Sequence, residues 1–217
     1  MLETINNLLK QLEASMRGKK FNDNFCSDTK ELFSWAHSCF VENRHVDEKE
    51  KKVLIENAVK LHNRAKTITN PRYSESVTYL KSAAAWILSA YAEKNTKFCI
   101  LFIRLHCRIA SEWIQLKAVN YAKQSYEEAL STWKKLNVHA LDRLLSRVEF
   151  DSLKQTVFYG YLDLSKLLRE NTGEISPQDS LSIRACVGGK FSNVFSFTIL
   201  KSVIILLSWY LSVVHIC

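Results

Sequence analysis

Five glycines and two prolines across 217 residues leave this chain almost no punctuation. Turn-rich β sandwiches, collagen and glycine-rich nucleotide-binding folds all need many more residues that break or bend the backbone. Leucine, lysine, alanine and glutamate are frequent instead, and these favour helix. With 47% hydrophobic and 24% charged residues, the chain has enough apolar surface to fold around a core, which excludes intrinsic disorder as a description of the whole. The fold class predicted is all-α.

Apolar spacing places the helices. Leu2, Ile5, Leu8, Leu9 and Leu12 mark one face of a first helix over residues 2–16. A polar loop over 18–27 follows, then Asp28 with Glu31 three residues on, the pattern of a helix cap with a returning acid. Leu32, Trp35, Ala36, Cys39 and Phe40 continue that second helix. A third, over about 48–68, faces inward with Val53 or Leu54, then Ala58, Leu61, Ala65 and Ile68, and stops before Asn70-Pro71. A fourth covers about 74–94 and a fifth about 97–115. The fifth is apolar around most of its circumference, because Ile100 and Ile103 add to Phe98, Leu101, Phe102, Leu105, Ile109 and Trp113, so it is expected at the centre. A sixth runs over about 118–136. Two further segments, 141–148 and 152–168, are expected to be helical and fused or separate. Gly160 lies inside the last and is read as a point of close helix contact.

Small residues suggest how the helices pair. Ala58, His62 and Ala65 form an Ala-x-x-x-bulky-x-x-Ala pattern, repeated at Ala83, Ile87 and Ala90 and at Ala122, Tyr126 and Ala129. This is the second-helix half of a tetratricopeptide (TPR) repeat, in which alanines admit the paired helix and the large side chain fills the remaining gap. For the last occurrence the first-helix half is present too, in Ile109, Ala110 and Trp113. The starts are separated by 25 and then 39 residues, against a consensus of about 34. One good repeat over 97–136 with degenerate neighbours is therefore expected, in a TPR-like α-solenoid of antiparallel hairpins. Ala58, Ala65, Ala83, Ala90, Ile109, Ala110, Trp113, Ala122, Tyr126 and Ala129 are its predicted packing positions.

Chemistry-bearing constellations are scarce. His106 and Cys107 are adjacent, so on a helix they diverge by about 100° and cannot share a metal. His37 and Cys39 are similarly misplaced, and His62 occupies a packing position. Gly188-Gly189-Lys190 lacks the earlier glycine and the following hydroxyl of a phosphate loop. No catalytic, cofactor-binding or metal-binding residue is predicted, and the chain is read as a non-enzyme. Trp35, Trp86, Trp113 and Trp133 are assigned to the core. The net charge of +8 is interleaved with acids along the helices, with one dense run at Arg17-Gly18-Lys19-Lys20, and no sequence-specific nucleic-acid binding is expected. Six scattered cysteines without a paired spacing, behind an N-terminus unlike a signal peptide, predict free thiols in a reducing compartment.

The stretch Val59-Lys60-Leu61-His62-Asn63-Arg64-Ala65, followed by Leu80-Lys81-Ser82-Ala83-Ala84-Ala85-Trp86-Ile87-Leu88, resembles paired helices of the meiotic crossover and synapsis TPR scaffold family. That family includes the testis-expressed protein eleven of animals and the sporulation- and synapsis-type proteins of fungi and plants. Ile109-Ala110-Ser111-Glu112-Trp113-Ile114, leading to Ala118-Val119-Asn120-Tyr121-Ala122 and Tyr126-Glu127-Glu128-Ala129, is similar to a further helix pair of the same family. The resemblance covers about residues 30–170 and corresponds to an N-terminal part of much longer family members. It implies a nuclear, non-catalytic scaffold on meiotic chromosomes, joining recombination and synapsis proteins. It carries over no partner-binding residue.

Beyond Gly173 the texture changes. A polar, glycine-containing linker spans 171–193, and residues 194–217 read VFSFTILKSVIILLSWYLSVVHIC with Lys201 as the one formal charge. As a helix this stretch would reach about 36 Å, against a bilayer core of about 30 Å. Three readings compete: a tail anchor holding the rest at a membrane, a segment buried against the helices, or a non-native end such as a truncated isoform or a translated intron. The composition shift and the absence of such a segment from the family favour the third. The expected organisation is thus an N-terminal helix and loop (1–27), a TPR-like domain (28–170), a linker (171–193) and an apolar tail (194–217).

Overall fold

The computed structural model describes residues 1–136 and 144–172, and all of these but Thr172 fall in the compact unit Met1–Asn171. Among the described residues there are seven α-helices, one 3-10 turn and no strand. They are α1 (Leu2–Met16), α2 (Phe25–Val41), α3 (Glu48–Ala65), α4 (Ser74–Tyr91), α5 (Thr96–Gln115), α6 (Val119–Lys135) and α7 (Arg147–Thr172). The all-α class holds, and five of the seven helix starts fall within one residue of their predicted positions.

Local chemistry sets those starts. Asp47 accepts a hydrogen bond from the Glu50 amide at 2.7 Å and begins α3, and Asn95 accepts from the Phe98 amide at 3.0 Å and begins α5. Between α3 and α4, Asn70 accepts from the Arg72 amide and Pro71 opens the 3-10 turn Pro71–Tyr73. A full capping box starts α7. The Ser146 amide and hydroxyl both donate to the Glu149 carboxylate, and the Glu149 amide returns to the Ser146 hydroxyl. Residues 147–148 and 152–168, left as fused or separate by the apolar spacing, thus lie in one helix that begins at Arg147. Residues 137–143, which include the start of the predicted 141–148 segment, lie outside the described residues.

The second helix begins at Phe25, three residues before the predicted Asp28 cap. Phe25 is buried and stacks on Phe21 at 3.8 Å between ring centres, and its burial fixes the helix start a turn earlier than capping chemistry would.

The central helix is α4 rather than the expected α5. It packs on α2, α3 and α5, and it is buried nearly all round. Ser76, Ser82, Ala83, Ala84, Ala85 and Ser89 keep its girth small, so three neighbours can close on it at once. In α5, by contrast, Leu101 is 51% exposed, and the buried face runs through Ile100, Ile103, Cys107 and Ala110. Leu54, not Val53, takes the inner position on α3. The main partner of α2 is α4, and α5 and α6 form the most extensive consecutive hairpin. At the other end α1 packs on α2 and α3, and Arg64 of α3 reaches Glu13 of α1 at 2.5 Å.

Candidate functional site

Ser82 and Ser89 of α4 and His106 of α5, buried polar residues of this helical unit, meet at the seam between α4 and α5. The Trp113 indole N–H donates to Ser82 Oγ at 2.9 Å, with both side chains buried. Seven residues away on each helix, His106 Nε2 and Ser89 Oγ are 2.8 Å apart. Seven residues are two helical turns, so each helix presents its pair on one face, and the rungs run antiparallel. At the open end of this ladder Lys81 Nζ pairs with Glu112 at 2.8 Å, and Thr78 and Arg108 reach the same carboxylate at 3.5 and 3.7 Å. The carboxylate is thus held by three donors and lies at the rim of the core.

Burial leaves His106 with little capacity to carry a proton. Its pKa is pushed down to about 3, and the ring packs edge-on against Trp86 at 4.8 Å. The adjacent Cys107 thiol is pushed up to about 12 by burial, which keeps it protonated and unreactive. His62 is lowered to about 4, by burial first and then by Lys66, Lys81 and Arg108. His37 lies between Phe33 and Trp86 and is also lowered by burial. Among the described residues no group of three or more His, Cys, Asp or Glu side chains converges as a metal would require. Cys26, Cys39, Cys99 and Cys107 are free thiols. Cys39 and Cys107 are buried, whereas Cys26 is exposed.

The predicted packing residues occupy three places. Ala58 and Ala65 lie on the buried face of α3, and Ala83 lies buried on α4, where Ala90 is half-buried. Ile109, Ala110 and Trp113 of α5 and Ala122, Tyr126 and Ala129 of α6 are all buried in the unit containing the α5–α6 hairpin. Trp113 also joins Phe33, Tyr79 and Tyr121 in an aromatic cluster with ring-centre separations of 4.9 to 6.0 Å, drawing side chains from α2, α4, α5 and α6. Trp86 and Trp133 are core residues as expected, but Trp35 is half-buried and lines a surface groove.

Sequence reasoning did not find the ladder. Its trace was present as two heptad-spaced pairs, Ser82 with Ser89 and His106 with Trp113. Each pair reads alone as a polar or aromatic residue on a helix, and only the packing of α4 on α5 joins them.

Two surface grooves of about 410 Å³ each flank α1. One lies at its start and is lined by Glu3, Trp35, Arg44, His45 and Glu50 among others. The other lies between its end and the α3–α4 connection, and Lys19, Lys20 and Arg72 line it. Gly188-Gly189-Lys190 and residues 194–217 lie outside the described residues. Among the described ones, no helix is long and apolar enough to cross a membrane.

No family model matches the chain, and neither does any curated protein or any solved structure. The fold establishes the class, an all-helical protein.

Proposed function

We propose that this chain is a non-catalytic protein-interaction scaffold of the TPR-like kind, acting with recombination and synapsis factors on meiotic chromosomes in the nucleus. The observation that carries the repeat reading is the α5–α6 hairpin, where small residues Ala110, Ala122 and Ala129 are buried along with the bulky Trp113 and Tyr126. The association of α2 with α4 rather than with α3 makes the preceding helices a degenerate part of any such array. The meiotic assignment rests on the resemblance of the helix pairs over 59–88 and 109–129 to the crossover and synapsis family. A scaffold also accords with the internal polar groups, because the ladder residues are consumed in joining helices and present no reactive atom to solvent.

The alternative is a membrane adaptor with the same helical domain, anchored through residues 194–217, and the apolar run there is what favours it. One experiment separates the two. Germline nuclei are fractionated, meiotic chromosome spreads are stained for the chain, and co-purifying proteins are identified. Foci on synapsed axes with recombination or synapsis factors recovered are expected. Recovery only in detergent extracts, lost when residues 194–217 are removed, overturns the meiotic scaffold in favour of the adaptor.

A further inference from the structure

The end of α1 is closed by a Schellman turn. Gly18 adopts φ +78°, its amide donates to the Ser15 carbonyl at 2.9 Å, and the Lys19 amide donates to the Ala14 carbonyl at 3.1 Å. This turn carries Lys19 and Lys20 along one wall of a groove whose opposite wall is the connection from Thr67 to Tyr73. Three rings pin the walls together. Phe21 stacks on Phe25 at 3.8 Å, and Tyr73 meets both edge-on at 4.7 and 5.9 Å. The groove is therefore a fixed feature of the fold, with a volume of about 410 Å³.

Its charge differs from that of the groove at the other end of α1. Lys19, Lys20 and Arg72 line it with no carboxylate among them, and none of the three forms an ion pair among the described residues. The groove at the other end of α1 has the same volume but sets Glu3 and Glu50 beside Arg44 and His45. One groove neutralises itself and the other is left cationic. Apolar surface accompanies the cations, with Met16 61% exposed and Ile68 half-buried.

We propose that this cationic groove docks an acidic peptide segment of a partner protein, an assignment that rests on the scaffold reading above. Carboxylates of the segment meet Lys19, Lys20 and Arg72, and an apolar side chain between them lies over Met16 and Ile68. A single-stranded nucleic acid fits less well. Phe21 stacks on Phe25 and the Arg72 guanidinium lies over the Tyr73 ring at 5.9 Å, whereas strand binding uses exposed aromatic faces for base stacking.

The test measures fluorescence anisotropy of the full chain with a labelled peptide alternating Glu and Leu, a control peptide alternating Lys and Leu, and a labelled oligothymidine. The acidic peptide is expected to bind, and to lose affinity on the order of tenfold when Lys19→Glu, Lys20→Glu and Arg72→Glu are combined. Should that variant melt early, Lys19→Ser, Lys20→Ser and Arg72→Gln replace it, with a smaller loss expected in the same direction. Equal binding by wild type and variants, no binding of the acidic peptide, or preference for the oligothymidine each overturns the proposal. The scaffold reading is tested apart from it. If the variants still recover every germline partner, the groove proposal fails and the scaffold stands. If the peptide binds through the groove but no partner is recovered, the scaffold reading fails instead.

Discussion

Gly160 on α7 lies so close to Tyr126 on α6 that a Cβ built at position 160 would sit 2.9 Å from Cε2 of the tyrosine ring and 3.3 Å from Cδ2. The ring has nowhere to retreat, because Tyr126 is buried and its hydroxyl donates to the Val157 carbonyl, one turn earlier on the same helix. An interior glycine costs about 1 kcal/mol of helix propensity relative to alanine, so the wild-type residue is retained at a local loss. Gly160→Ala recovers that propensity but overpacks the contact, at a cost of about 1–3 kcal/mol. A lower melting temperature is expected by circular dichroism. In a Tyr126→Leu background the same change is expected to raise it, and a stabilising Gly160→Ala in the wild type would refute the close contact.

The Trp113–Ser82 bond yields a second prediction. Ser82→Ala removes the acceptor and leaves a buried indole N–H unpaired, which costs about 1–3 kcal/mol. Trp113→Phe loses the same bond and leaves the buried Ser82 hydroxyl without the indole N–H. In the double variant the Ser82→Ala penalty is expected to shrink, giving a coupling of about 1 kcal/mol in urea unfolding. Strict additivity would show that the bond contributes nothing to stability.

These relationships divide what was legible in the sequence from what was not. Ala58, Leu61 and Ala65 announce the inner face of α3 by spacing alone, which leaves Val53 or Leu54 open at its start, and the structure makes Asp47 and Asn95 the caps of α3 and α5. Gly160 was readable as a close approach because an interior glycine needs a reason. The central position of α4 was hidden. Apolar counting favours Ile100, Leu101 and Ile103 of α5, whereas the serines and alanines of α4 matter through their small volume, which a hydrophobic pattern discards. The Ser146–Glu149 capping box settles what the apolar spacing leaves open, whether 141–148 and 152–168 are fused or separate, by starting one helix at Arg147. Pairing of α2 with α4 has no local trace, since it depends on which of several apolar faces meet in three dimensions.

Acidification should destabilise the fold in a defined window. His106 ordinarily titrates at 6.5 but is held to about 3 by burial, so between these values the unfolded chain binds a proton that the folded chain does not. Stability then rises with pH across that window, is complete above 6.5, and is lost as pH falls toward 3. One such group contributes a slope of about 1.4 kcal/mol per pH unit. His62, lowered to about 4, acts in the same direction with a narrower range. Glu128, raised by burial from its ordinary 4.5, opposes them just above that value. Urea unfolding at a series of pH values checks the slope. His106→Gln keeps a hydrogen-bonding group near Ser89 and is expected to flatten the curve by about one proton. An unchanged slope would assign the acid sensitivity elsewhere.

Lys117 offers a stabilising change. It joins α5 to α6 with φ +57°, while its amide donates to the Ile114 carbonyl at 3.0 Å and the Ala118 amide donates to the Trp113 carbonyl at 2.9 Å. This is the turn that Gly18 makes after α1, built here on a residue with a Cβ. The left-handed conformation costs a non-glycine residue about 1–2 kcal/mol, and the exposed Lys117 side chain joins no hydrogen bond or ion pair among the described residues to offset it. Lys117→Gly removes the steric cost and adds the larger backbone entropy of glycine in the unfolded chain. The net expectation is a gain of up to about 1 kcal/mol, read as a higher melting temperature without a change in helix content. Lys117→Ala keeps the Cβ and should leave the melting temperature nearly unchanged. If alanine stabilises as much as glycine, the gain comes from removing the lysine side chain, and the left-handed turn at 117 is not its source.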